Sequence, residues 1–220
     1  MKLAREGYPF VAAGLLLAGI LWAGIWAGVG GLWTTLAAWT VTALALFVLW
    51  FFRNPEPVSP PDASLVVAPG QGKVIVIDEA DEPTFMRGRA RRISIFLSVF
   101  DVHVQRHPVG GTVAHRTYRP GTYAVAWLDK ASDDNEQASL GIETPEGRVL
   151  VRQIAGLIAR RIITDPSEGE QVERGLRLGL IRFGSRVDLF LPLHWEVLCS
   201  VGDRVRVGSS VLARRIPEVG

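Results

Sequence analysis

Hydrophobic and polar residues are distributed unevenly along the chain. Residues 8–52 contain no Asp, Glu, Lys or Arg, and this stretch is about twice the roughly 20 residues that one membrane-spanning helix needs. A glycine-rich turn at residues 28–31 divides it into two apolar segments, residues 8–27 and 32–52. The pattern predicts a two-helix transmembrane hairpin.

The rest of the chain has a different pattern. Short runs of Val, Ile and Leu are separated by Gly, Pro and Asp, which is typical of β-strands. The runs are residues 65–68, 72–77, 93–97, 148–154 and 187–191. They predict a mainly β (α+β) domain. Two related stretches, residues 68–74 and 201–209, resemble the turns of barrel-sandwich hybrid folds.

Composition divides the chain into three parts. Residues 1–53 are predicted to anchor the protein, residues 54–61 form a proline-rich linker that is expected to be extended and semi-rigid, and residues 62–220 form the folded domain. The sequence has no clear short apolar core followed by an Ala-x-Ala site, so a secretory signal peptide is not expected.

Basic residues flank the apolar stretch. Lys2 and Arg5 precede the first segment and Arg53 follows the second, so the positive-inside tendency places both ends in the cytoplasm. We therefore expect a protein of the cell (inner) membrane whose folded domain is cytoplasmic. The single cysteine, Cys199, cannot form an internal disulfide, which agrees with a reducing compartment.

A basic cluster lies ahead of the run at residues 93–97. Its members are Arg87, Arg89, Arg91 and Arg92. Attraction to anionic lipid headgroups, at about 1 kcal/mol per basic residue near the surface, and a solvated loop are equally compatible with it. Nucleic acid is not indicated, because the net charge is only +2 and no recognition motif accompanies the cluster.

The Gly184-Ser185 dipeptide leads into the run at residues 187–191. A serine hydroxyl beside a flexible glycyl carbonyl can attack its own preceding peptide bond if a base is near. The resulting ester can eliminate to dehydroalanine, whose hydrolysis gives a pyruvoyl group at a new chain terminus. Locally the dipeptide is also an ordinary turn, and Gly208-Ser209 is a second copy.

Several longer motifs resemble the phosphatidylserine decarboxylase family, especially its short bacterial form, over the chain from Arg53 to the C-terminus. They are residues 51–55 (Phe-Phe-Arg-Asn-Pro), 93–104 (Ile-Ser-Ile-Phe-Leu-Ser-Val-Phe-Asp-Val-His-Val), 118–121 (Tyr-Arg-Pro-Gly), 129–132 (Asp-Lys-Ala-Ser) with Asn135-Glu136, 153–162 (Gln-Ile-Ala-Gly-Leu-Ile-Ala-Arg-Arg-Ile) and 182–188 (Arg-Phe-Gly-Ser-Arg-Val-Asp).

The resemblance implies a self-processing, pyruvoyl-dependent enzyme that converts phosphatidylserine to phosphatidylethanolamine and carbon dioxide. Cleavage between Gly184 and Ser185 would give a β chain, residues 1–184, and an α chain, residues 185–220. The implied partners are phosphatidylserine, membrane lipids and the two cleaved chains, and a homo-oligomer is left open. Neither Lys73 nor Lys130 lies in a recognisable pyridoxal phosphate motif.

Acid-base catalysis near neutral pH usually uses histidine, and the chain has four. His103 matches the family's Asp-x-His element and is the first candidate for the base that activates Ser185 and the acid that reprotonates the product, with His107 in reserve. For His115 and His194 a structural role is expected. No spacing of Cys, His, Asp or Glu predicts a metal site.

One position departs from the family pattern. Gln71 stands where the family has an aspartate that is thought to orient the catalytic histidine, and Asp101 or Asp78 could substitute for it. Two other functions stay open: a membrane-tethered, non-catalytic barrel-sandwich adaptor, and a decarboxylase acting on an archaeal-type serine ether lipid.

Overall fold

The computed structural model describes residues 2–121, 135–156, 162–182 and 185–217. The chain forms two compact units, Met1–Glu56 and Pro57–Gly220. Their boundary falls inside the proline-rich segment. The predicted cleavage glycine, Gly184, and Lys130 lie outside the described residues.

The first unit contains a short 3₁₀ turn, Arg5–Gly7, and two helices, α1 (Tyr8–Trp26) and α2 (Leu32–Phe51). The helices pack on each other through Trp22, whose Nε1 donates to Thr42 Oγ1 at 3.0 Å. Both are long and apolar enough to cross a membrane, with mean hydropathies of 1.9 and 1.8. The two predicted apolar helices are confirmed, and their insertion in a membrane stays a prediction.

The second unit has fourteen strands among its described residues. They are β1 (Leu65–Val67), β2 (Gly72–Glu82), β3 (Gly88–Leu97), β4 (Val104–Arg106), β5 (Gly111–Arg119), β6 (Gln137–Thr144), β7 (Gly147–Ala155), β8 (Ile162–Thr164), β9 (Gln171–Val172), β10 (Arg177–Ile181), β11 (Ser185–Leu191), β12 (Glu196–Val197), β13 (Arg204–Val205) and β14 (Val211–Arg214).

The strands form three antiparallel sheets. The largest has the order β13-β2-β3-β11-β7-β6-β5-β9, so β11 lies near its middle between β3 and β7. Two three-stranded sheets have the orders β1-β14-β12 and β4-β10-β8. The mainly β fold class preceded by a helical hairpin is therefore confirmed.

Strand β11 is buried on both faces. Val187, Leu189 and Leu191 point into the main hydrophobic core, and burial of each such side chain contributes about 1.5–3 kcal/mol. The alternate residues point to the opposite face, where Phe190 packs in a smaller apolar cluster with Leu150. This central position fixes the register of β11, because a one-residue slip would exchange its two faces.

The two turn stretches that resemble barrel-sandwich hybrids lie side by side. Gly208 N–H donates to the Ala68 carbonyl at 2.8 Å, and Val74 N–H donates to the Asp203 carbonyl at 2.9 Å. Their similar sequences therefore correspond to adjacent segments of one structure.

All five predicted strand runs lie in strands, but β2 and β3 are longer than predicted. The sequence placed the basic cluster ahead of a strand starting near Ile93, whereas β3 begins at Gly88. The extra length is explained by opposite charges across the β2–β3 hairpin, where Asp78 faces Arg92 and Glu79 faces Arg91. Such cross-strand pairs favour continued pairing.

Candidate active site

Ser185 is the first residue of β11 and is fully buried. In register it lies between Leu97 of β3 and Ala155 of β7, so hydrogen-bonded strands hold it on both sides. Its Oγ is buried and has no hydrogen-bond partner in the part of the chain that the structure describes. Leaving a buried hydroxyl unpaired costs about 1–3 kcal/mol, so this group is a candidate for chemistry rather than for stability.

His103 is also fully buried and immediately precedes β4. Its carbonyl accepts a hydrogen bond from Ile181 N–H at 3.3 Å. Ile181 ends β10, and the chain reaches Ser185 four residues later. His103 therefore lies opposite the last residue of β10, and the chain runs on from this residue to Ser185.

The ring of His103 has a defined tautomer. Its Nδ1 lies 3.0 Å from the carbonyl oxygen of Asp101. A carbonyl oxygen only accepts hydrogen bonds, so Nδ1 carries the hydrogen and Nε2 carries the lone pair. His103 is thus arranged to accept a proton at Nε2.

The carboxylate of Asp101 has other partners. It accepts hydrogen bonds from Ser98 N–H at 2.9 Å and Ser98 Oγ at 2.7 Å, and from Arg204 Nη2 at 3.2 Å. Asp101 therefore orients His103 through its backbone carbonyl, whereas its carboxylate closes the turn that precedes the histidine.

Gln71 lies directly before β2, two residues after Pro69. Two backbone hydrogen bonds of 3.0 Å join residues 67–69 to residues 106–108, which belong to and follow β4. The chain bends at residues 69–70 before it reaches Gln71. Its side chain is partly buried and has no side-chain hydrogen bond to the described residues.

His107 lies beyond the other end of β4. Its backbone exchanges two hydrogen bonds of 2.9 Å with residues 175–176, before β10 begins. The ring is buried, and burial lowers the pKa of His107 to about 4, although Glu170 and the Arg177 backbone oppose this shift. The structure therefore separates the two histidines that the sequence places four residues apart.

The remaining histidines have surroundings that suit structural roles. His115 stacks on Phe85 with ring centroids 5.5 Å apart, and His194 lies edge-on to Trp195 at 6.5 Å. Both residues lie at other places in the fold than Ser185.

Three of the four arginines of the basic cluster lie in β3 and are paired with acidic residues of β2. Arg92 forms an ion pair with Asp78 at 2.5 Å. Arg89 and Arg91 both contact Glu79, at 3.0 and 3.3 Å. Much of the positive charge of the cluster is therefore neutralised within the hairpin.

The fourth member, Arg87, lies exposed in the turn between β2 and β3 with a φ of 59°. Attraction to anionic headgroups stays a prediction, and it now depends mainly on Arg87. The pairing also occupies Asp78, because the hydrogen bond from Arg92 lowers the pKa of Asp78. Asp78 is thus engaged by Arg92, and its role in orienting His103 stays a prediction.

Asn135 and Glu136 were not assigned a role from the sequence, although they belong to one of the family motifs. Asn135 Nδ2 donates to the Ala155 carbonyl at 2.7 Å, and Ala155 N–H donates to the Glu136 carbonyl at 2.9 Å. Both side chains are buried, and Ala155 is the residue that pairs with Ser185. A polar dipeptide ahead of an apolar strand carries no sign of burial in a single sequence.

The opposite face of β11 has a buried ion pair. Arg186 Nε donates to Asp188 Oδ1 at 2.6 Å, and Arg186 Nη2 donates to Ser94 Oγ at 2.9 Å. Arg186 and Asp188 are fully buried. Removing one partner of such a pair typically costs about 3–5 kcal/mol, so the pair helps to hold the start of β11 in place.

Other candidate chemistry is not brought to this site. Lys73 is exposed at the start of β2. Cys199 is partly buried against the core, and burial raises the pKa of its thiol to about 11. Within the described ranges, no group of three or more His, Cys, Asp or Glu side chains could hold a metal ion.

Comparisons with known proteins agree on one family. The family model for phosphatidylserine decarboxylase matches residues 44–213. A phosphatidylserine decarboxylase proenzyme of Symbiobacterium thermophilum is 50% identical over 96% of this chain and 95% of its own length. Proenzymes of the same name from Salinibacter ruber and Nitrobacter winogradskyi are 47% and 48% identical, over 94% of this chain and 90% and 82% of their own lengths.

Proposed function

Because the chain belongs to the phosphatidylserine decarboxylase family, we propose that it converts phosphatidylserine to phosphatidylethanolamine and carbon dioxide with a pyruvoyl group made from Ser185. The matched region includes the whole stretch from His103 to Ser185. The similar proteins are named proenzymes, which supports activation by cleavage of the chain.

The observation that carries the proposal is the Ser185 hydroxyl at the first residue of a central strand, which is buried and forms no hydrogen bond to the described residues. The site fits a carbonyl group formed from that serine, because it is enclosed and its neighbour on β7 is the small Ala155. Burial of the Ser185 hydroxyl without a hydrogen bond to the described residues lowers the stability of the fold. Its presence at a rigid position is therefore consistent with a chemical role.

In the proposed cleavage, His103 Nε2 takes the proton from Ser185 Oγ. The oxygen then attacks the carbonyl carbon of Gly184. The bond from that carbon to the nitrogen of residue 185 breaks as His103 returns the proton to this nitrogen, which leaves an ester and a free amine. Loss of the Cα proton expels the Gly184 carboxylate and leaves dehydroalanine. Water hydrolyses this to a pyruvoyl group and ammonia.

Decarboxylation uses the same surroundings. A pyruvoyl group supplies a carbonyl that combines with the substrate amine and withdraws electrons as carbon dioxide leaves. His103 holds the proton that is delivered to the substrate α-carbon. The Asp101 carbonyl keeps the ring in the tautomer that these transfers require.

The test is turnover in vesicles that contain phosphatidylserine and the full-length protein. Wild type and Ser209→Ala, which alters the second Gly-Ser dipeptide, are expected to form phosphatidylethanolamine, and Ser185→Ala is not. Borohydride added during turnover should attach lipid mass to the chain that begins at residue 185. Lipid mass on Lys73 instead would contradict the mechanism.

We also propose that α1 and α2 anchor the enzyme in the inner membrane with both ends in the cytoplasm. The basis is the charge-free stretch and the two apolar helices. Reporter fusions after Lys2 and after Pro57 are expected to lie on the same side. Reporters on opposite sides would indicate a single span.

A further inference from the structure

Glu136 has an unusual environment for an acidic residue. It is only 4% exposed. One carboxylate oxygen, Oε1, accepts a hydrogen bond from the Tyr118 hydroxyl at 3.0 Å, and the other, Oε2, is buried without a hydrogen-bond partner among the described residues. A buried carboxylate is normally fully hydrogen-bonded or paired with a cation, so Oε2 has an unused capacity to bind a cation.

Glu136 lies in line with Ser185 across the large sheet. Ser185 pairs with Ala155, and Ala155 is bonded to the Glu136 carbonyl at 2.9 Å. Residues directly opposite each other in a sheet point to the same face, and two strand spacings separate Ser185 from Glu136 by about 10 Å. Ala155, the residue between them, has a side chain of one carbon.

A cleft lies beside Tyr118, the hydrogen-bond partner of Glu136. It has a volume of about 320 Å³ and is lined by Arg116, Thr117, Tyr118, Ala138, Ile162 and Thr164. Tyr118 contacts both the cleft and Glu136, and Ala138 lies on the same face of the strand as Glu136. The cleft therefore adjoins Glu136 through Tyr118, and Arg116 in its lining is a cation suited to a phosphodiester.

We propose that Glu136 Oε2 binds the ammonium group of the serine headgroup and removes one of its protons. The inference rests on the proposed function, because it needs a carbonyl at position 185 for the amine to attack. It assigns a residue to substrate binding and proton transfer that is distinct from His103.

The proton transfer is simple to balance. An N–H bond of the ammonium group breaks, an O–H bond to Oε2 forms, and the electron pair stays on nitrogen. The products are a neutral amine, which is nucleophilic, and a protonated Glu136. No other reactant is needed, and the acid formed is able to return the proton later in the cycle.

The test compares wild type with Glu136→Gln in the full-length protein in phosphatidylserine vesicles. Glutamine keeps the size of the side chain and an oxygen for the Tyr118 hydrogen bond, but it cannot take the proton. Three quantities are measured: chain cleavage by mass, labelling of the ketone by a neutral aminooxy probe, and borohydride trapping of phosphatidylserine.

Glu136→Gln is expected to be cleaved and labelled like wild type, while trapping falls about 100-fold, the size of a typical acid-base contribution. The deficit should shrink as pH rises, because more of the substrate amine is then neutral in solution. Glu143→Gln, the same change at an exposed position near the other end of β6, is the matched control and is expected to trap lipid normally.

Equal trapping by Glu136→Gln and wild type at neutral pH would overturn the inference. So would an uncut or unlabelled Glu136→Gln, because the carboxylate would then serve folding or maturation. A wild type without a ketone would refute the proposed function itself, and the aminooxy label distinguishes that result from the other two.

Discussion

The two ends of β4 hold the same residue type in different surroundings. His103 precedes the strand at the end of β10 from which the chain continues to Ser185, and its Nδ1 is bonded to the Asp101 carbonyl. His107 follows the other end, where its backbone is bonded to residues 175–176. Four residues of extended chain separate them by about 13 Å.

The rings also differ in their electrostatics. Burial lowers the pKa of His107 to about 4, so its ring is neutral at pH 7. Its buried Nδ1 has no hydrogen-bond partner within the described ranges. His103 instead has an acceptor that fixes one tautomer and leaves Nε2 able to take a proton. The comparison teaches that residue type alone does not identify the candidate base. His103 differs from His107 in its position relative to β4 and in the hydrogen bond that its Nδ1 makes.

The largest expected effect is on self-cleavage. His103→Gln still offers a donor to the Asp101 carbonyl but cannot take a proton, so cleavage should slow about 10²–10⁴-fold. His107→Gln is the matched control and should be cleaved at a rate close to that of wild type. A time course in a cell-free system with lipid measures both, and the opposite ranking would transfer the role of base to His107.

The next effect concerns stability against pH. The folded-state pKa of His107, about 4, lies below the ordinary value of 6.5. Between these values the unfolded chain binds a proton that the folded chain does not, so the free energy of unfolding falls as pH falls, by up to about 3 kcal/mol.

Denaturant unfolding at pH 7 and pH 4.5 checks this. The loss of stability on acidification should be smaller in His107→Gln than in wild type, whereas His115→Gln should behave like wild type. The same loss in all three proteins would show that His107 does not control this part of the pH dependence.

The smallest effect is expected at Gln71. Gln71 stands where the family has an aspartate that is thought to orient the catalytic histidine. A carboxylate in that role would stabilise the protonated ring of His103, and a gain of one pKa unit corresponds to about tenfold in an equilibrium. Gln71→Asp should therefore speed cleavage by up to about tenfold, and Gln71→Asn should not. Equal rates for the two variants would mean that charge at this position has no influence on His103.

Much of the architecture could be predicted from the sequence, since its causes are local. The length of the charge-free stretch predicts α1 and α2. The short apolar runs separated by Gly, Pro and Asp predict the central parts of β2, β3, β7 and β11. The extension of β3 to Gly88 could not be predicted, because it depends on acidic residues of β2 that become neighbours only after the hairpin forms.

The candidate site was only partly predictable. Motifs suggested Ser185 and His103, but a single sequence could not separate His103 from His107, because their difference arises from the pairing of β4 with β10. Glu136 was missed for the same kind of reason. Its relation to Ser185 depends on Ala155, through strand pairings between residues distant in sequence.

The central claim is that Ser185 cleaves the peptide bond that precedes it and becomes a pyruvoyl group. Intact-mass measurement of the purified protein tests this claim most directly. Wild type and Ser209→Ala should each give two chains that meet between residues 184 and 185. The smaller chain should be lighter by the mass of one ammonia than a peptide beginning with serine, and Ser185→Ala should stay uncut. A wild-type chain that stays at full length in lipid, or is cut elsewhere, would contradict the account.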